Sequence, residues 1–132
     1  MGDTCTESTT LTVTTTSDHD GTAVVRVTGE IDLACEESVR AAIVAQLGRR
    51  PAALVLDFTE VEFFGSTGLQ LVVDAYGSAT RLGLGFAVAT DRRAVLRPLE
   101  ITLVRETVDV HPTVRDALSA VRTAGGMSAA HR

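Results

Sequence analysis

A pair of hydroxyls flanked by glycines, Gly65-Ser66-Thr67-Gly68, stands between an apolar run and a helical repeat. Upstream, Ala52 to Leu56 is short, unbroken and rich in branched side chains, the pattern of a strand buried on both faces. A polar connection, Thr59 to Glu62, and then Phe63-Phe64 follow it. Downstream, Leu69, Val72, Val73 and Tyr76 recur at i, i+3, i+4, i+7 spacing and predict an amphipathic helix. The tetrapeptide therefore falls at a helix N-terminus, where backbone N–H groups lack intrahelical partners and the dipole is positive. A hydroxyl there has two uses. It can cap the helix, or it can carry a phosphoryl group whose charge the terminus favours.

A third use, nucleophilic catalysis, lacks its supporting residues. The three histidines, His19, His111 and His131, fall in a turn, before a helix and near the C-terminus, and none is placed to serve Ser66 as a base. The tetrapeptide is not the G-x-S-x-G elbow of serine hydrolases. No Cys/His cluster has metal-ligand spacing, and Glu60 and Glu62 read as a solvated loop. Gly83-Leu84-Gly85 precedes a strand, whereas a dinucleotide fingerprint follows one. A binding switch is expected, with no cofactor, no metal and no catalytic residue; a small hydrolase using Ser66 is the rival that a fluorophosphonate probe would test.

The elements that must position this site can be followed along the chain. Leu11, Val13 and Thr15 alternate as an edge strand, Asp18-His-Asp-Gly21 makes a hairpin turn, and Ala23 to Val27 returns. Gly29-Glu-Ile-Asp32 ends that strand, with Asp32 placed to cap a helix whose inner face is Val39, Ile43, Gln46 and Leu47. Gly48 and Pro51 stop it. After the central strand and helix, Phe86 to Ala89 is another strand, and Asp91 is expected to cap a short helix that Pro98 ends or kinks near Arg97. Arg92, Arg93 and Arg97 read as a solvated basic face, Leu99 to Leu103 as turn or loop, and Thr107 to Val110 as a weak edge strand. Pro112-Thr-Val-Arg-Asp116 resembles a capping box for a final helix with Val114, Ala117, Leu118 and Val121 inward, ended by Gly125-Gly126.

Composition bounds the rest. A chain of 132 residues with 45% hydrophobic content suits one domain without staples. Residues 1–8 are expected to be a disordered leader, 9–123 the domain and 124–132 a flexible tail. Cys5 and Cys35 make no disulfide framework, and a reducing cytoplasm is the simplest setting. Cys35, in the first turn of its helix, is read as a packing residue. A net charge of −5 argues against nucleic acid, and no apolar run approaches a membrane span. All 12 basic residues are arginine, which excludes a Walker lysine and a Schiff-base lysine.

Gly29-Glu-Ile-Asp32, Leu56-Asp-Phe-Thr59 and Phe64-Gly-Ser-Thr-Gly-Leu69, in that order, resemble the STAS domain of bacterial anti-sigma factor antagonists over about Leu11 to Arg122. The resemblance implies an α/β fold, a small mixed sheet with about four helices packed mainly on one face. It also implies a cycle. The unphosphorylated antagonist binds an anti-sigma factor serine kinase and frees a sigma factor; phosphorylation at the position of Ser66, with Thr67 secondary, releases it; a metal-dependent serine phosphatase resets it. Asp32, Phe64, Gly65, Thr67, Gly68 and Leu69 fall at the partner-binding positions, ATP belongs to the kinase, and the expected state is a monomer or weak homodimer. The chain departs from the family at Gly65, where an aspartate is usual. That departure keeps a second reading open: a STAS-like ligand-binding or scaffold module that is never phosphorylated.

Overall fold

The computed structural model describes residues 11–17 and 20–131, with side chains as far as Arg122. The leader, Cys5 and two residues of the hairpin turn, Asp18 and His19, lie outside the described residues. The strands are β1 (Leu11–Ser17), β2 (Thr22–Glu30), β3 (Ala53–Phe63), β4 (Gly85–Ala89) and β5 (Val110–His111). The helices are α1 (Glu36–Gly48), α2 (Gly65–Leu82), α3 (Arg93–Ile101) and α4 (Val114–His131), with single 3-10 turns at Leu33–Cys35 and Val104–Glu106.

The sheet runs in chain order, β1-β2-β3-β4-β5. β1 pairs antiparallel with β2, Leu11 opposite Gly29 and Ser17 opposite Ala23, and every later pair is parallel. Parallel neighbours need crossovers, and crossovers share one hand, so strands added in a single direction place their helices on one face. α1, α2 and α3 accordingly bury Val39, Ile43, Leu71, Val72, Val95 and Leu99 against Leu54, Leu56, Phe58 and Val88 of the sheet. α4 follows the last strand and is free of that rule. It crosses the opposite face, where Ala117 and Val121 meet Ala53, Val55, Ala87 and Ala89. Successive β3 residues point to alternate faces, which is why Ala53 to Phe58 are all buried.

Most boundaries follow the sequence pattern, and the inner face of α1 is the expected Val39, Ile43, Gln46 and Leu47. Four differ. Thr59 to Glu62 is strand, not connection: Asp57 accepts hydrogen bonds from the Thr59 N–H (3.1 Å) and hydroxyl (2.7 Å), so these polar side chains are satisfied within the sheet. The inner face of α2 is Gly68, Leu71, Val72, Ala75 and Ala79, while Val73 is 40% exposed. Small residues lie against the sheet there and carry little hydrophobic signal. α3 passes Pro98 and reaches Ile101, with Thr102 Oγ1 donating to the Pro98 carbonyl (2.7 Å) at its end. α4 continues through Gly125-Gly126, since each glycine weakens a helix by about 1 kcal/mol relative to alanine without stopping it. No helix among the described residues is long and apolar enough to cross a membrane.

Candidate functional site

The C-terminal ends of β2, β3 and β4 lie side by side, and their following turns make one surface of the molecule. In open parallel sheets this is the end at which ligands and partners collect. Ser66 stands there, exposed, as the second residue of α2. It is not a cap. The N-cap position is Phe64, no side chain caps the helix, and the Gly68 N–H makes the first turn's bond to the Phe64 carbonyl (2.9 Å). Among the described residues no histidine or carboxylate hydrogen-bonds the Ser66 hydroxyl. Thr67 beside it is half-buried.

The two glycines have different jobs. Gly65 has φ +59°, the left-handed region, and this reverses the chain between β3 and α2 so that Ser66 faces outward. Gly68 is buried beneath the Phe64 ring, leaving no room for a β-carbon. Phe64 itself is 1% exposed and stacks edge-on against Phe58, centroids 5.8 Å apart. Phe64, expected at a partner-contact position, is buried in the core here, and the exposed ring at this spot is Phe63, 52% exposed. Phe64 and Gly68 shape the surface from below, while Leu69 is half-buried at its margin.

Asp32 caps as expected, but it caps the 3-10 turn Leu33–Cys35 that leads into α1. Its carboxylate accepts from the Cys35 N–H (3.2 Å) and thiol (3.1 Å), which places the buried thiol in a packing role. Asp91 does not cap α3. The N-cap is Arg92, and its N–H is taken up by the Thr90 hydroxyl (3.1 Å), which in turn donates to the Phe58 carbonyl (3.1 Å). Arg92 is no free surface charge either. Its Nε donates to the Thr59 carbonyl (2.8 Å) and its guanidinium reaches Glu60 (3.3 Å), tying α3 to the end of β3.

Between the start of α2 and the face of α3 runs an open groove of about 560 Å³. Phe63, Leu69, Pro98 and Ile101 form its apolar part, and Ser66, Arg93 and Arg97 its polar rim. Phe63 and Ile101 are more than half exposed. The sequence pattern does not single out this groove, because its walls come from segments some thirty residues apart; the i, i+4 spacing of Arg93 and Arg97 on one face of α3 is the signal that was available.

The family model described as the STAS domain matches residues 14–117. The anti-sigma-F factor antagonist RsfB of Mycobacterium tuberculosis is 34% identical over 110 residues, covering 82% of this chain and 88% of the relative. Among solved structures, an anti-sigma factor antagonist from Mycobacterium paratuberculosis superposes with a TM-score of 0.77 at 39% identity, covering 85% of this chain and 94% of the other. Unphosphorylated SpoIIAA shares the fold, with a TM-score of 0.70 at 18% identity over 84% of this chain and 96% of its own. The match spans the sheet, all three crossover helices and the Ser66 turn, and the chain belongs to the STAS domain family, among its anti-sigma factor antagonists.

Proposed function

We propose that this protein is an anti-sigma factor antagonist that binds an anti-sigma factor serine kinase through the surface around Ser66 and is switched off by phosphorylation there. The observation that carries the reading is the exposed, unbonded Ser66 hydroxyl beside an apolar groove at the C-terminal end of the sheet. In the unmodified state Phe63, Leu69 and Ile101 offer apolar area to the partner, and binding frees a sigma factor in the cytoplasm.

Transfer then forms a bond between Ser66 Oγ and the γ-phosphorus of ATP and breaks the bond to ADP. The hydroxyl proton leaves to a base on the kinase, since none of the described residues holds a base against Ser66. The helix N-terminus favours the product by about 0.3–1 kcal/mol, so the fold tolerates it. The interface does not. A charge of about −1.5 to −2 must be desolvated beside Phe63 and Leu69, and a loss of about 4 kcal/mol weakens binding roughly a thousandfold. A metal-dependent serine phosphatase restores the binding form.

A second reading, a STAS scaffold that is never phosphorylated, is favoured by Gly65 in place of the family's aspartate. Intact mass after incubation with the cognate kinase and Mg-ATP separates the two. Gain of one phosphoryl group, mapped to Ser66 and lost in Ser66→Ala, is the expected result. An unchanged mass, with partner binding retained, would establish the scaffold.

A further inference from the structure

Arg93 and Arg97 are exposed, one helical turn apart on α3, and both line the groove whose other wall carries Ser66. Neither has a carboxylate partner among the described residues. Glu60 is engaged with Arg92 (3.3 Å) and Glu100 with Arg105 (2.6 Å), while Asp91, exposed two residues before Arg93, forms no ion pair with either arginine. The pair also works against its own helix. Arg93 is the first residue of α3, whose first turn holds no acidic residue, and a cation there opposes the dipole. Like charges at i, i+4 repel as well. An anion held between the two side chains reverses both effects.

Arginine suits a phosphoryl group better than any other side chain, because its planar fork donates two parallel hydrogen bonds to adjacent oxygens. Resting on the phosphorylation proposed above, we infer that Arg93 and Arg97 receive the phosphoryl group of phosphorylated Ser66 within the same chain, drawing it across the mouth of the groove. A group attached to the opposite wall has a large effective concentration over any free anion. Phosphorylation then does more than repel the partner. The clamped phosphoryl group and the two arginine stems cover Phe63, Leu69 and Ile101, so the docking surface is closed as well as charged.

The test places phosphoserine at position 66 during translation, so no kinase enters. Phosphorus NMR follows the second ionisation of the phosphate in the otherwise unaltered protein and in Arg93→Gln, Arg97→Gln and the double variant. A free phosphoserine titrates near pH 6. The clamp should lower this by about one unit, since nearby cations favour the dianion. The double variant should recover at least half of that shift, each single variant part of it, and high salt should erase the difference. The α2 terminus is common to all four proteins and cancels. Melting curves of the unphosphorylated variants matching the parent establish that the fold is intact. Superimposable titrations of parent and double variant would overturn the clamp. The choice of Ser66 by a kinase is decided separately by mass mapping, so the two ideas fail independently.

Discussion

The Phe64 ring lies directly over Gly68, one turn into α2: a β-carbon at position 68 would come within 2.7 Å of ring atoms Cγ and Cε1 and closer still to Cδ1. The ring has nowhere to go, since Phe64 is buried against Phe58. Gly68→Ala is therefore an overpacking change at the base of the site, expected to destabilise by about 1–3 kcal/mol despite the better helix propensity of alanine. Urea unfolding measures it. Phe64→Leu should relieve part of the cost, so the double variant must be more stable than the sum of the singles; strict additivity would mean that the ring and the glycine do not compete for the same space.

Charge mimicry at Ser66 separates stability from binding. Ser66→Asp and Ser66→Glu put an anion in the first turn of α2, where it is welcome, and Ser66 is exposed. The thermal midpoint should stay within about 4 °C of the parent. Binding to the kinase, followed by calorimetry, should fall by about two to three orders of magnitude, as expected for a desolvated charge costing several kcal/mol. Undiminished affinity in either variant would reject charge exclusion as the release mechanism.

Gly65→Asp tests the family departure with the backbone in view. The position has φ +59°, and a β-carbon there meets the Phe63 ring at 3.2 Å. Aspartate tolerates the left-handed region better than most residues, and Phe63 is an exposed ring free to shift, so the cost should be about 1 kcal/mol. Gly65→Val should cost distinctly more, because a branched side chain resists that conformation. A carboxylate one residue from Ser66 can accept its hydroxyl hydrogen and orient the oxygen. The initial rate of phosphate incorporation should therefore rise in Gly65→Asp, measured against the same kinase. A lower rate would mean that this partner reads the glycine.

The bridge between α1 and α2 sets an acid limit. Arg40 donates to Asp74 (2.8 Å) and to Glu36 (2.8 Å), and Gln70 donates to Asp74 (2.9 Å). The hydrogen bond from Arg40 chiefly holds the Asp74 carboxyl below its ordinary value, and Glu36 and then Asp74 hold the guanidinium above its own. A depressed carboxyl stabilises the fold above its unfolded value and loses that contribution as pH falls through the folded one. The urea midpoint should accordingly drop below about pH 4, with Arg40 charged throughout. Asp74→Asn should flatten that part of the profile. The amplitude is small because both side chains are more than a third exposed, and about 1 M salt should reduce it further.

Legibility in the sequence follows how local the cause is. The inner face of α1 and the Thr113 cap of α4, whose hydroxyl accepts from the Asp116 N–H (3.0 Å), depend on residues within a turn or two and were readable. Ser66 was readable as a helix-start hydroxyl because strand, loop and helix patterns meet there. What was not readable depends on distant neighbours. The depth of Phe64 against the exposure of Phe63 is decided by Phe58 and Gly68, and two adjacent phenylalanines look alike in a row of letters. Arg92 looked solvated because its acceptors, the Thr59 carbonyl and Glu60, lie on another element. The groove was invisible for the same reason.

Among the described residues α4 alone covers its face of the sheet, where Val114, Ala117, Leu118 and Val121 lie over a floor made largely of alanines, Ala53, Ala87 and Ala89 with Val55. Such a contact buries little area per residue, whereas the other face is sealed by three helices with Phe58, Phe64, Leu71 and Leu99. The two halves of the core therefore need not open together. Detaching α4 would expose chiefly small side chains, while β2, β3 and β4 would remain paired beneath α1, α2 and α3. The Ser66 surface sits on that better-sealed side. In terms of amide exchange, α4 should open faster than the three helices of the other face, and the surface proposed as the switch is mounted on the slower lamina.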